Sequence, residues 1–255
     1  MLTTTTTIAT TTQQQEGEKT YIIKPLTEEY VQQAAVLAAT CIANDEPLCS
    51  TSGLTPPEMF YFCEYYARIA ARDNLGVVAV DKKSNMVIAA IICEDYVKGT
   101  LEGCPEIIEH YFGEGKGGFQ NVLNLLDILH EDYWKGRDEE KKALFQPENI
   151  GQILHIYIGI AYPFARRGGV SSELTKYLLR NVRERGYKMA FTESTSAFSQ
   201  GLRRKFGFET KTSVTYSDPT IQERFPFTKS VPEPHKTCNF MWNTDLNNTA
   251  MLNNE

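Results

Sequence analysis

The sequence predicts an α/β domain in which one mixed β-sheet of about seven strands is flanked by helices. Two observations carry this expectation. Seven short runs rich in β-branched and aromatic residues alternate with segments of helical periodicity, in the order β-α-α-β-β-(insert)-β-α-β-α-β-β. Among them, the strand-like run 153–161 passes through a short glycine-bearing turn directly into an amphipathic helix. Composition fits: the 255 residues are 42% hydrophobic and 23% charged, enough for a substantial core in a globular chain. No run of 18 apolar residues exists, so no membrane span is expected.

Residues 1–19, with the run MLTTTTTIATTTQQQ, are low in complexity and nearly uncharged, which predicts a disordered head. They lack arginine and an apolar core, which argues against a transit or export signal. The domain proper spans 20–246. Tyr21 to Leu26 is a first strand, and Thr27 with Glu28 and Glu29 starts a helix whose apolar face is Val31, Ala34, Ala35, Ala38, Cys41 and Ile42. Thr55-Pro56-Pro57-Glu58 starts a second helix, rich in aromatics, that runs to about Ala71. Gly76 to Val80 and Met86 to Cys93 form a hairpin around Asp81 to Asn85. Residues 96–152 are a long insertion with a helix at about Phe119 to His130. Beyond the central unit come a strand at Met189 to Thr192, a helix at Ala197 to Phe206, and strands at Phe208 to Tyr216 and Thr237 to Trp242. The polar end, 247–255, is expected to be a loose tail.

Six cysteines (Cys41, Cys49, Cys63, Cys93, Cys104 and Cys238) contain no C-x-x-C pair. Their mostly apolar neighbours predict reduced, buried thiols of a cytoplasmic protein rather than disulfides or a metal site. The glycine run Gly113-Glu114-Gly115-Lys116-Gly117-Gly118 lacks the spacing of a nucleotide-binding loop and follows no strand, so a flexible loop is expected.

The most informative stretch is 153–208. The turn Tyr162-Pro163-Phe164-Ala165-Arg166-Arg167-Gly168-Gly169 feeds a helix on which Val170, Leu174, Tyr177, Leu178 and Val182 recur at helical spacing, with Gly186 placed to close it. Free N–H groups at the head of such a helix form an anion site, and glycines let a phosphate approach the backbone. From Arg166 to Lys205 ten basic residues face three acidic ones, about +7, although the chain carries −6. A local cationic cradle on an acidic protein points to a small polyanion and away from nucleic acid. A plain strand-to-helix turn with a solvated basic face is the alternative.

Two motifs here resemble a family. Arg166-x-x-Gly169-x-Ser171 is similar to the (Gln/Arg)-x-x-Gly-x-(Gly/Ala) signature of the GCN5-related N-acetyltransferases, with Ser171 as a small departure. Lys205-Phe206-Gly207-Phe208 resembles their Lys-Leu-Gly-Phe. The resemblance covers roughly 20–242 and implies a sheet splayed at the coenzyme strand. It also implies acetyl-coenzyme A as cosubstrate and no metal. The pantetheine arm would pair with Gly159, Ile160 and Ala161. The pyrophosphate would sit on the turn formed by Arg166, Arg167, Gly168, Gly169, Val170, Ser171 and Ser172.

Acetyl transfer to an amine needs a base, a donor for the carbonyl oxygen and a proton or charge for the departing thiolate. Glu46, in Asp45-Glu46-Pro47-Leu48, is by itself an ordinary acidic turn stopped by proline. That tetrapeptide, however, closely resembles the insect arylalkylamine (dopamine-type) N-acetyltransferases, which implies that Glu46 is the general base, acting through ordered water. In the same subgroup Ser199 and Thr195 match serines held to serve the thiolate or the substrate, although Ser194 to Ser196 can equally cap the next helix. Many relatives place a tyrosine acid where Arg203 stands. His155 matches the first histidine of a His-x-His pair in vertebrate arylalkylamine acetyltransferases; a satisfied core histidine is the alternative. Glu94 and Asp95 are a further option for the base. Phe60, Tyr61, Tyr65 and Tyr66 are either pocket wall or core.

The expected activity is transfer of an acetyl group to a small primary amine, an arylalkylamine, by direct attack in a ternary complex. A monomer without nucleic-acid or membrane partners is expected. The alternatives are acetylation of polyamines or protein amino groups, and a non-catalytic acyl-coenzyme A binding module.

Overall fold

Nearly continuous apolar runs on the central strands call for a sheet covered on both faces. The computed structural model, which describes residues 19–103 and 118–253, has that sheet. Its strands are β1 (Tyr21–Pro25), β2 (Gly76–Asp81), β3 (Val87–Asp95), β4 (Ile153–Ala161), β5 (Met189–Ser194), β6 (Glu209–Thr215) and β7 (Thr237–Asn243). They lie in the order β1-β2-β3-β4-β5-β7-β6. Every neighbouring pair is antiparallel except β4 and β5, which run parallel. All seven expected strands are present among the described residues.

Side-chain alternation divides the core in two. Val78, Val80, Ala90, Ile92, Phe191 and Phe240 point to one face and pack with α1 (Glu28–Asp45), α2 (Pro56–Arg72) and a helix of the insertion, Gly118–Trp134. Val77, Ala79, Ala89, Ile91, Leu154 and Met241 point to the other, against Leu174, Leu178 and Val182 of the helix Val170–Glu184. Each such aliphatic or aromatic side chain contributes about 1.5–3 kcal/mol when fully buried. In chain order the described helices are α1, α2, α3 (Tyr96–Glu102), α4 (Gly118–Trp134), α5 (Asp138–Leu144), α6 (Val170–Glu184), α7 (Ala197–Lys205), α8 (Pro219–Arg224) and α9 (Ala250–Asn253).

Several local expectations need correction. The insertion holds α3 and α5 besides the expected helix; α3 is capped by Asp95, whose carboxylate accepts the Lys98 N–H. Thr27 makes no side-chain cap, whereas Thr55 and Glu58 form a full capping box. The end of the chain is not loose through residue 253: Leu246 and Leu252 are buried against the α6 face, and the Arg180 side chain donates to the Leu252 carbonyl. Two leucines in a polar segment are enough to dock it. The Thr/Gln-rich head through residue 18, Cys104 and the glycine loop up to residue 117 lie outside the described residues. The other five cysteines are buried free thiols.

Candidate active site

The site begins where the sheet parts. β4 and β5 pair only at Ile153–Met189, Leu154–Ala190 and His155–Phe191. Beyond His155, β4 continues beside β3 alone, with a bulge that passes over Tyr157 between the Ile156 and Ile158 pairings. β5 turns its remaining length to β7. One edge of Ile156 to Ala161 therefore has no strand partner among the described residues, and a cavity of about 1110 Å³ opens beside it.

At one end of the cavity lies the turn before α6. The backbone N–H groups of Arg167, Gly168, Gly169, Val170 and Ser171 have no hydrogen-bond partner among the described residues; the first N–H groups turned inward are those of Ser172 and Glu173, which donate to the Gly169 carbonyl. They stand at the positive end of a 15-residue helix. Gly169 adopts φ +83, and a β-carbon added there would meet no protein atom within 4 Å. Arg167 also holds a positive φ, 68°, a conformation that costs a non-glycine residue roughly 1 kcal/mol or more and recurs at binding sites. Arg166 behaves differently from a free phosphate ligand. Its Nε donates to the Ala161 carbonyl at 2.9 Å and its terminal amine pairs with Asp45 at 2.6 Å, so it ties the end of β4 to α1.

No protein-family model matches the sequence, and no curated protein sequence matches it. Solved structures do match. Arylalkylamine N-acetyltransferase 2 from Aedes aegypti superposes with a TM-score of 0.65 at 17% identity, over 89% of this chain and 99% of that one. The fold is that of the GCN5-related N-acetyltransferases. The C-terminal condensation domain of Ebony, solved with beta-alanyl-dopamine, gives 0.65 at 17% identity over 88% and 98%. An agmatine N-acetyltransferase gives 0.62 at 15% identity over 88% and 98%.

The cavity brings together the turn before α6, the β4 edge, Glu46, Thr195, Ser199, Arg203, His155 and His235. Glu46 closes its own turn: Oε2 accepts the N–H of Leu48 at 3.1 Å and of Cys49 at 2.6 Å. Its other oxygen, Oε1, is buried and has no hydrogen-bond partner among the described residues. Ser199 is on the first turn of α7, where its hydroxyl donates to the Ser196 carbonyl at 2.9 Å and its N–H is capped by the Ser196 hydroxyl. Ser196 is thus the cap, which leaves Thr195 facing the cavity with its carbonyl held by Tyr216. Five buried side-chain atoms lack a partner among the described residues. Three of them, Glu46 Oε1, Ser194 Oγ and Arg203 Nε, belong to residues that line this cavity. Buried polar atoms are normally satisfied, and three of these five face one cavity.

Both ring nitrogens of His155 are engaged by carboxylates. It is buried and stacks on Phe191 at 4.3 Å; Nδ1 donates to Glu94 at 3.0 Å and Nε2 to Glu193 at 2.9 Å. Burial pushes the ring down, but the Glu193 charge and the hydrogen bonds from both glutamates outweigh it and raise it to about 9. Burial likewise pushes Glu193 up, yet His155 and His130 hold it well below the usual carboxylate range. At neutral pH the imidazole is therefore cationic, and it clamps two carboxylates beneath the cavity. This accounts for Glu94 as well, whereas Asp95 is consumed by Lys98, Gly151 and Tyr187.

A pH dependence follows. The raised histidine gives stability that is complete below pH 6.5 and lost as pH rises through about 9; the depressed Glu193 gives stability present above its ordinary range and lost only in stronger acid. Unfolding midpoints should fall between pH 6.5 and 9 by an amount equivalent to about 3 kcal/mol at most, and His155→Phe should flatten that slope. A pH-independent midpoint in the native protein would contradict the clamp.

Sequence reasoning missed His235 and Glu193. His235 accepts the Ala197 N–H on Nδ1 at 3.1 Å and faces the cavity, but its Pro-rich surroundings carry no local signal. Of the aromatics on α2, Tyr65 and Tyr66 line the cavity together with Phe62, and Tyr66 stacks on Tyr157 at 4.2 Å; Phe60 and Tyr61 do not.

Proposed function

We propose that the protein is an acetyl-coenzyme A–dependent N-acetyltransferase whose acceptor is a small primary amine with a flat apolar side chain. The observation that carries this reading is one cavity lined both by Arg167, Gly169, Val170 and Ser171, whose backbone N–H groups have no partner among the described residues, and by Glu46, one of whose carboxylate oxygens has none either. The diphosphate fits the donors of Arg167 to Ser171, charge-assisted bonds being worth about 1.5–3 kcal/mol each. The open edge at Gly159, Ile160 and Ala161 suits the amides of a pantetheine arm. Ser172 completes the first turn of α6, and Arg166 supports the turn from behind.

In this reading Glu46 receives the proton that the ammonium must lose. Once Glu46 has passed that proton to solvent, the amine nitrogen attacks the thioester carbon, the C–N bond forms, the nitrogen gives its second proton to the freed carboxylate, and the C–S pair leaves on sulfur. Holding both reactants in line supplies much of the acceleration. Ser199 and Thr195 orient the acceptor or the sulfur. The wall of Phe62, Tyr66 and Tyr157 favours an arylalkylamine over a linear polyamine. A cytoplasmic setting suits the free buried thiols.

The test is an amine screen that detects released thiol. Arylalkylamines are expected to turn over with kcat/KM at least about tenfold above polyamines and peptide amines, a difference of roughly 1.4 kcal/mol. Preference for a polyamine would overturn the acceptor class; coenzyme A binding without thiol release for any amine would leave a binding module.

A further inference from the structure

Arg203 is the most anomalous side chain of the molecule. It sits on α7 one turn after Ser199, at i+4, so both lie on the same face. It is 4% exposed. One terminal amine donates to the Thr175 hydroxyl on α6 at 3.2 Å, while the other lies 3.2 Å from where a β-carbon on Gly159 would be. Among the described residues Nε has no hydrogen-bond partner and no carboxylate pairs with the guanidinium; the Phe208 ring, 5.9 Å from it, makes a cation–π contact but carries no countercharge. The titratable group that acts on it is Cys93 on β3, whose thiol burial keeps protonated, so it supplies no countercharge at neutral pH. Desolvation pulls the guanidinium down to about 10.

Burying an unpaired cation is costly, and proteins ordinarily avoid it or pair it. The missing partner is best sought in the cavity that Arg203 lines. Position selects the kind of anion. The turn with the bare N–H groups begins at Arg167, whereas the guanidinium lies against Gly159 on the unpaired edge of β4 and shares a face of α7 with Ser199. A pantetheine arm laid along that edge from phosphates on the turn would carry its sulfur end toward the guanidinium. Resting on the acetyl-transfer reading, we propose that Arg203 is a catalytic residue whose guanidinium stabilises the coenzyme A thiolate as it leaves. The C–S bond breaks with its electron pair on sulfur, the nitrogen's second proton passes to Glu46 (the ammonium's first having already gone through Glu46 to solvent), and the thiolate departs as an anion held by the cation. No side-chain acid has to surrender a proton at that step. Gly159 is then needed small, since a side chain there would meet the guanidinium.

The test compares the full-length wild type with Arg203→Met, of similar length and neutral, and Arg203→Lys. Ultraviolet absorbance of the thiolate, recorded across pH on the enzyme–coenzyme A complex against enzyme alone, reads the charge effect directly. In wild type the bound thiol should ionise about one pH unit or more below a free thiol, and in Arg203→Met that shift should vanish. The kcat of Arg203→Met should fall about 10²-fold with KM for acetyl-coenzyme A little changed, with partial rescue by lysine. Its melting temperature should hold or rise, because an unpaired buried charge is gone. An unchanged thiolate titration and kcat, or a loss of melting temperature with kcat retained, overturns the proposal and leaves acetyl transfer standing. A preference for succinyl- over acetyl-coenzyme A that disappears in Arg203→Met also overturns it, by placing a carboxylate at the guanidinium. Failure of the wild type to bind coenzyme A overturns the underlying reading itself.

Discussion

Glu46→Gln is expected to lower kcat by about 10²–10⁴-fold at neutral pH while coenzyme A still binds with nearly native affinity. The choice of glutamine follows from the geometry. One carboxylate oxygen is already spent on the N–H groups of Leu48 and Cys49, which fold the turn after α1. An amide oxygen can take over those two bonds but cannot accept a proton in the other position, which in the native chain is Oε1, buried and unmatched. Alanine would confuse two effects, since stranding the backbone donors costs about 1–3 kcal/mol of stability in addition to any catalytic loss. Steady-state kinetics with an arylalkylamine acceptor, together with coenzyme A titration by fluorescence, separate the two quantities. Native turnover in Glu46→Gln would remove Glu46 from the chemistry and send the search for a base to His235, which shares the cavity.

Gly169→Val should weaken acetyl-coenzyme A binding by about 10²-fold or more, with the fold intact. Two causes act together. The φ of +83 is strained for any residue with a β-carbon and worse for a branched one, by about 1–3 kcal/mol. The side chain would also project into open space where the phosphates need contact with bare N–H groups, and each lost charge-assisted bond costs a further 1.5–3 kcal/mol or so. Gly168, whose added β-carbon would only graze the Ala165 carbonyl at 3.9 Å, is the natural control, and Gly168→Ala should bind far better than Gly169→Val. Calorimetric titration of the coenzyme onto both variants decides it; equal affinities would show that the phosphates do not lie on this turn.

Much of this architecture is legible in the sequence because local chemistry sets it. Alternating Val, Ile and Ala at 76–80 and 87–93 make a buried hairpin in any context, and the Thr55-Pro56-Pro57-Glu58 box starts a helix on its own. The Arg166-to-Ser171 spacing marks the turn because an exposed helix head after a strand needs glycine at the left-handed position. The tail was harder: only packing on α6 turns Leu246 and Leu252 from isolated apolar residues into an anchor.

Side-chain roles divide in the same way. Ser196 as cap and Glu46 as turn-closing acid follow from residues two or three positions away. His155 does not, because its partners Glu94 and Glu193 are 61 and 38 residues distant and meet it only across β3, β4 and β5. Arg166 reads as a phosphate ligand until Asp45, 121 residues earlier, captures it. The sequence determined by itself where strands, helices and the phosphate-type turn would form, since dihedral preference and hydrophobic period act between near neighbours. Only the tertiary structure decided which charges would be neutralised and which left waiting, because the field at a buried group is set by what the fold brings within a few ångströms.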